Sequence, residues 1–213
     1  MSETPASILL IDDHPLLRQG IKQLISMEQD MEVVGEASNA ADGIRMATEI
    51  EPDLILMDLN MPEMDGIEAL KRLRAQNISS RIIMFTVSDH EEDVVDALRA
   101  GADGYLLKDM EPEDLRSNLV KAALGVTVLQ DSLTEVLKKA LIDPDTKTSA
   151  SDVSLTDRET EILDCLAEGM NNKNIARKLG ISDTTVKVHI KNILRKLNLT
   201  SRLEAAVWRH QNR

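Results

Sequence analysis

The chain has 213 residues, a formal charge of −12, 42% apolar residues and 29% charged residues. At about 100–200 residues per domain this is one large or two small domains, and the near-average composition excludes wholesale disorder. Phe85, Tyr105 and Trp208 are the only aromatics, which excludes a stacking platform for single-stranded nucleic acid, and the lone Cys165 excludes a disulfide scaffold or a cysteine zinc site.

No run approaches the ~18 apolar residues that span a bilayer. The N-terminus has no positive stretch before its short apolar run Ile8–Ile11, so a soluble cytoplasmic protein is expected. The charge is uneven. Residues 1–130 carry 11 Lys+Arg against 25 Asp+Glu, whereas residues 170–213 carry 10 against 2. An acidic half joined to a basic tail points to nucleic acid, although a solvated basic helix has the same composition.

In chain order, short apolar runs at Ser7–Ile11, Glu32–Ala37, Asp53–Met57, Arg81–Thr86 and Gly104–Leu107 predict five strands. Helical patterns alternate with them at Pro15–Met27, Ala40–Ile50, Asp65–Ala75, Glu91–Ala100 and Pro112–Leu124. Pro15 and Pro112 suit a first helical turn, where a missing N–H costs nothing. Strict alternation predicts a parallel sheet covered by helices on both faces, with ligands at the carboxyl ends of the strands.

Those strand ends are chemically loaded. The first closes on Asp12 and Asp13, the third on Asp58, the fourth on Thr86 and the fifth on Lys108. Any one of these is ordinarily a solvated loop residue; five at four strand ends are not. Converging carboxylates repel unless a cation balances them, and oxygen ligands select Mg²⁺. An Asp carboxylate beside such a cation and a lysine suits phosphoryl transfer. His14, preceding Pro15 at a helix start, reads as a loop polar residue or electrostatic contributor rather than a ligand. A phosphatase using an Asp nucleophile is the enzyme alternative, but Asn60 stands where a second acid is needed.

Residues 126–152 lose the pattern and read as a linker. Leu133, Val136, Leu137 and Leu141 suggest one short amphipathic helix before a polar tether at 143–152. Beyond it, Thr156 and Glu159 have capping-box spacing, and Gly180-Ile181-Ser182 forms a turn between two helices. The helix Asp183–Leu197 follows, then a last one at Arg202–His210. Four helices with this turn make an all-α helix-turn-helix domain over 153–213. Val186, Ile190, Ile193, Leu194 and Leu197 form the inward stripe of the third helix. Lys187 and Val188 suit guanine and thymine-methyl contacts in the major groove, and Thr184, Lys191 and Arg195 complete the DNA-facing set.

Residues 7–125, within an expected domain at 1–125, resemble the receiver domain of two-component response regulators. The resemblance rests on Ile11–His14, Asp58–Pro62, Gly66, Thr86, Tyr105 and Lys108. It implies a flavodoxin-like fold with strand order 2-1-3-4-5. It also implies that Asp58 is the phospho-acceptor and that Asp12, Asp13, Asp58 and the Asn60 carbonyl hold Mg²⁺. By the same resemblance Lys108 pairs with the phosphoryl group and Thr86 moves to hydrogen-bond it. Tyr105 would be a switch whose ring turns into the space Thr86 leaves, and Asn60 and Ser88 would tune dephosphorylation.

Residues 153–210 resemble the LuxR/FixJ-type output domain, through Leu155–Glu159, Gly169, Asn172, Ile175-Ala176, Leu179, Ser182 and Thr185–His189. This implies double-stranded DNA and a membrane sensor histidine kinase as partners, and a homodimer on DNA through Leu203 and Val207. RNA polymerase is a further candidate. Stretches such as Val87–Val94 and Glu204–Trp208 resemble the nitrate/nitrite-responsive members of the family. The expected function is therefore a phosphorylation-activated transcription regulator of anaerobic respiration genes, in which phosphorylation relieves receiver inhibition of the output domain. A regulator answering another signal and a DNA binder independent of phosphorylation are the alternatives.

Overall fold

The structure is a computed structural model describing residues 5–126, 128–129 and 155–212. The expected linker helix and polar tether lie outside the described residues. The strands are β1 Ala6–Ile11, β2 Met31–Ala37, β3 Leu54–Met57, β4 Arg81–Thr86, β5 Gly104–Leu107 and β6 Val128–Leu129. They form one sheet ordered β2-β1-β3-β4-β5-β6, with every pairing parallel. The order of the first five is the expected one. β6 was not foreseen; two residues paired beside Gly104 and Tyr105 leave no periodic trace in a sequence.

The helices of this domain are α1 Pro15–Ile25, α2 Ala40–Ile50, α3 Gly66–Ala75, α4 Glu91–Arg99 and α5 Pro112–Leu124. Alternation along the strands divides the apolar side chains between two layers. Leu9, Ile11, Ile55, Met57, Ile82 and Met84 pack toward α2, α3 and α4, against Ala47, Leu70, Leu73, Val94 and Leu98. Ile8, Leu10, Leu54, Leu56, Ile83 and Phe85 pack toward α1 and α5, against Ile21, Ile25, Leu115 and Leu119. The core is aliphatic, as the composition requires.

The second domain contains α6 Asp157–Ala167, α7 Asn172–Leu179, α8 Asp183–Leu197 and α9 Arg202–Gln211. The capping box at Thr156 and Glu159 is formed in both directions. Gly180 ends α7 in the left-handed region at φ 64°, where a side chain is disfavoured, and Ser182 then caps α8 by accepting from Thr185 N at 3.1 Å. All five residues of the expected inward stripe are buried, packed on Ile162, Leu163, Ile175 and Ala205, with Trp208 at the edge of that core.

The two domains meet at the amino end of the sheet, opposite Asp58. Asn171 Nδ2 donates to Ala123 O at 2.7 Å, Lys173 pairs with Asp53 at 3.2 Å, and Lys187 and Lys191 reach Glu51. Leu203 packs against the receiver's apolar layer.

Candidate functional site

The sheet brings the predicted acids together. β1 ends just before Asp12 and Asp13, and β3, hydrogen-bonded beside it, ends just before Asp58. Gly66 lets α3 start directly against this turn: a Cβ there would lie 2.2 Å from the Asp58 carbonyl oxygen. Lys108 Nζ, arriving from β5, lies 2.8 Å from Asp12 Oδ2 and 2.7 Å from Asp58 Oδ2.

Asp58 is 2% exposed. Burial raises its pKa; Lys108 opposes the shift, and the charge of Asp12 adds to it. Thr86 is fully buried, and its Oγ1 accepts from Asn60 Nδ2 at 3.3 Å and from Ser88 N at 3.2 Å. Asn60 N also donates to Asp58 Oδ1 at 3.3 Å, which places Asn60 against both the acceptor and the threonine.

Among the described residues, Asp12 Oδ2, Asp13 Oδ1 and Asp58 Oδ2 are buried and lack directed hydrogen bonds, and ion-pair contacts reach them. Three such oxygens fit a hard divalent cation, whose coordination would satisfy them. Receiver domains generally bind Mg²⁺ at an acidic pocket of this kind, and Asp12, Asp13 and Asp58 form it here. His14 belongs to the same cluster: the donor atoms of Asp12, Asp13, His14 and Asp58 all lie within 4.8 Å of one another. Its Nδ1 is 2.7 Å from Asp13 Oδ1. Its place directly after two acids was the available signal.

The Tyr105 ring is fully buried, and its hydroxyl donates to Ser88 O at 2.9 Å. It packs in the apolar layer with Val94 and Leu98 of α4. Burial, reinforced by Asp93, pushes the phenol pKa up and keeps it a donor.

On the second domain, Thr184, Val188 and Arg195 are exposed as the helix reading required. Arg195 Nη2 donates to Asn192 Oδ1 at 3.2 Å. Lys187 and Lys191 are not free. Lys187 Nζ donates to Glu51 O at 2.7 Å and Lys191 Nζ to Glu51 Oε1 at 3.2 Å. Glu51 escaped sequence reasoning because an acid after a helix end looks like any solvated loop residue. Val207 is half-buried, and Leu203 is used against the receiver.

The family description "Response regulator receiver domain" matches residues 8–120, and "Bacterial regulatory proteins, luxR family" matches residues 153–209. The chain is a response regulator with a LuxR-type output domain. Its family consists of DNA-binding transcriptional regulators that act with sensor kinases, not of enzymes. The regulator is 57% identical over 212 residues to the nitrate/nitrite response regulator protein NarL of Escherichia coli K12, covering 100% of this chain and 98% of that protein. It is 42% identical over 210 residues to NarP of the same organism, covering 99% and 97%. A solved LuxR-family response regulator from Aurantimonas sp. SI85-9A1 is 31% identical, with a TM-score of 0.59, over 66% of this chain and all of that one. The regulator is thus a phosphorylation-dependent, DNA-binding transcription regulator. No described helix is long and apolar enough to cross a membrane.

Proposed function

We propose that phosphorylation of Asp58 releases the output domain from the receiver, and that the freed α8 then reads double-stranded DNA. The observation that carries this is the grip of Glu51 on Lys187 and Lys191. The two lysines suited to DNA are occupied by the receiver, so DNA and the receiver compete for them.

In the phosphorylation step, a carboxylate oxygen of Asp58 forms the bond to phosphorus. The bond to the leaving group of the phospho-donor breaks, and its electron pair departs with that group. Asp12, Asp13, Asp58 and the Asn60 carbonyl would hold Mg²⁺, which supplies positive charge toward the phosphoryl oxygens. Lys108, beside both Asp12 and Asp58, neutralises the added charge, and the Thr86 hydroxyl donates to a phosphoryl oxygen. Up to two negative charges then replace one in a buried pocket, and Lys108 and Thr86 are drawn to them. Tyr105, bonded to Ser88 O beside Thr86, is the switch residue that follows this movement.

Release frees more than the lysines. Leu203 leaves the receiver layer, and with Val207 on the same helix it forms the face of a homodimer on DNA. The phospho-donor is a membrane sensor histidine kinase, and RNA polymerase is the partner once promoters are bound. We place the regulator in the cytoplasm, in domains spanning 1–125 and 153–213. The likeness to NarL and NarP supports nitrate or nitrite as the signal and genes of anaerobic respiration as targets.

Mapping genomic sites with and without nitrate, in wild type and in Asp58→Ala, tests this reading. Nitrate-dependent occupancy that vanishes in the variant is the expected result. Equal occupancy in the variant overturns phosphorylation control, and occupancy indifferent to nitrate but lost in the variant assigns a different signal.

A further inference from the structure

The domain interface encloses a small cavity lined by Asp53, Arg81 and Ala123 of the receiver and by Asn172, Lys173 and Arg202 of the output domain. It has room for about one water-sized species. The charges around it do not balance. Arg74 pairs with Asp103 at 2.7 Å. Asp53 Oδ2 accepts from Ser7 N and Ser7 Oγ at 3.0 Å each and faces Lys173 at 3.2 Å.

Two buried guanidinium groups, Arg81 and Arg202, share what remains of the negative charge: Asp103 acts on both and Asp53 on Arg202. Arg81 is 4% exposed and Arg202 is 7% exposed. Arg81 donates to the carbonyl of Gly125, and its Nε has no hydrogen-bond partner among the described residues. Among the described residues, Arg202 donates to neutral acceptors, Asn172 Oδ1 at 3.3 Å and Met170 O at 2.6 Å. Burial, with Arg81 nearby, pushes the Arg202 pKa down to about 9, a sign of how poorly its charge is compensated. Asp103 Oδ1 is also unpartnered, but Asp103 does not line the cavity. The first turn of α7 adds its positive helix end through Asn172 and Lys173.

We propose that the closed regulator binds one halide-sized monovalent anion, chloride in the cell, in this interdomain cavity between Arg81 and Arg202. Room for about one water-sized species suits a halide. Because one arginine comes from each domain, the anion binds the closed form and not the open one. It therefore favours closure by mass action and raises the threshold that phosphorylation must overcome.

The test uses the full-length, unphosphorylated protein at constant ionic strength, with chloride exchanged for the larger gluconate. Interdomain distance is read by energy transfer between labels on the two domains. A saturable, several-fold rise in the closed-to-open ratio in chloride is expected, with loss of that response in Arg202→Gln. Closure equal in both salts overturns the anion site alone; an open protein in both salts overturns the closed arrangement itself. Bromide-soaked wild-type crystals give a readout independent of any variant. An anomalous peak between Arg81 and Arg202 is expected, and a site holding only water contradicts the proposal.

Discussion

Lys187 Nζ donates to the backbone carbonyl of Glu51 at 2.7 Å, so a lysine proposed to meet a DNA base is held by the acidic domain of its own chain. Glu51 closes α2 in the left-handed region at φ 48°, which turns the carbonyl at the negative end of the helix outward. Its carboxylate takes Lys191 at 3.2 Å. A carbonyl at a helix C-terminus plus a carboxylate offers these lysines what a DNA phosphate offers.

Reversing the charge of Glu51 should open the unphosphorylated protein. The Lys191 pair is partly exposed, so its loss alone is worth well under 1 kcal/mol. Added repulsion in Glu51→Lys brings the expected gain in DNA affinity to about three- to tenfold. Fluorescence anisotropy with a duplex selected from random sequence checks this. The phosphorylated protein should show little change.

Lys187→Ala should act in two opposite directions. It removes a latch contact, and it removes the proposed base contact, worth about 1–3 kcal/mol. The unphosphorylated variant should open more readily, yet the phosphorylated variant should bind its best site more weakly than wild type. Titrating both forms separates the effects.

Asp58 carries a stability cost with a definite pH dependence. Burial raises its folded pKa, so folding favours the protonated acid. That contribution is present below the unfolded pKa of about 3.9 and is lost as pH rises through the raised folded value. Asp58→Asn carries no charge. Without Mg²⁺ its Tm at pH 7 should exceed that of wild type, by about 2–4 °C for each kcal/mol recovered. The advantage should shrink to nothing as pH falls below 4. Calorimetry at a series of pH values checks it.

Much of this site was legible in the sequence because each acid or lysine directly follows an apolar run, and a parallel sheet gathers strand ends. The inward stripe of α8 was equally plain, since Val186, Ile190, Ile193, Leu194 and Leu197 keep helical spacing. The docking of the domains was not legible. Glu51, Arg81 and Arg202 have no periodic neighbours to announce them, and their roles come from how two separate surfaces meet. Tyr105 was legible as a residue of interest, but its bond to Ser88 O was not, because it depends on how the 87–90 loop folds over β5.

Tyr105→Phe should cost about 1 kcal/mol, because the buried bond from its hydroxyl to Ser88 O is lost. The loop from Val87 to His90 would lose that anchor. Faster amide hydrogen exchange at 87–90, with the rest of the sheet unchanged, is the expected signature.

The strands that carry the site at one end carry the interface at the other. Asp53 and Asp58 flank β3, Arg81 and Thr86 bound β4, and Asp103 and Lys108 flank β5. Five residue steps along the strand separate the members of each pair, roughly 17 Å, so a charge added at Asp58 must change an equilibrium across the sheet. The distance between a label at Glu49 and one at Arg195, measured by energy transfer before and after phosphorylation with acetyl phosphate and Mg²⁺, reads that equilibrium directly. A short distance that lengthens on phosphorylation, and stays short in Asp58→Ala, is predicted. A distance unchanged by phosphorylation while DNA affinity rises would contradict release as the mechanism.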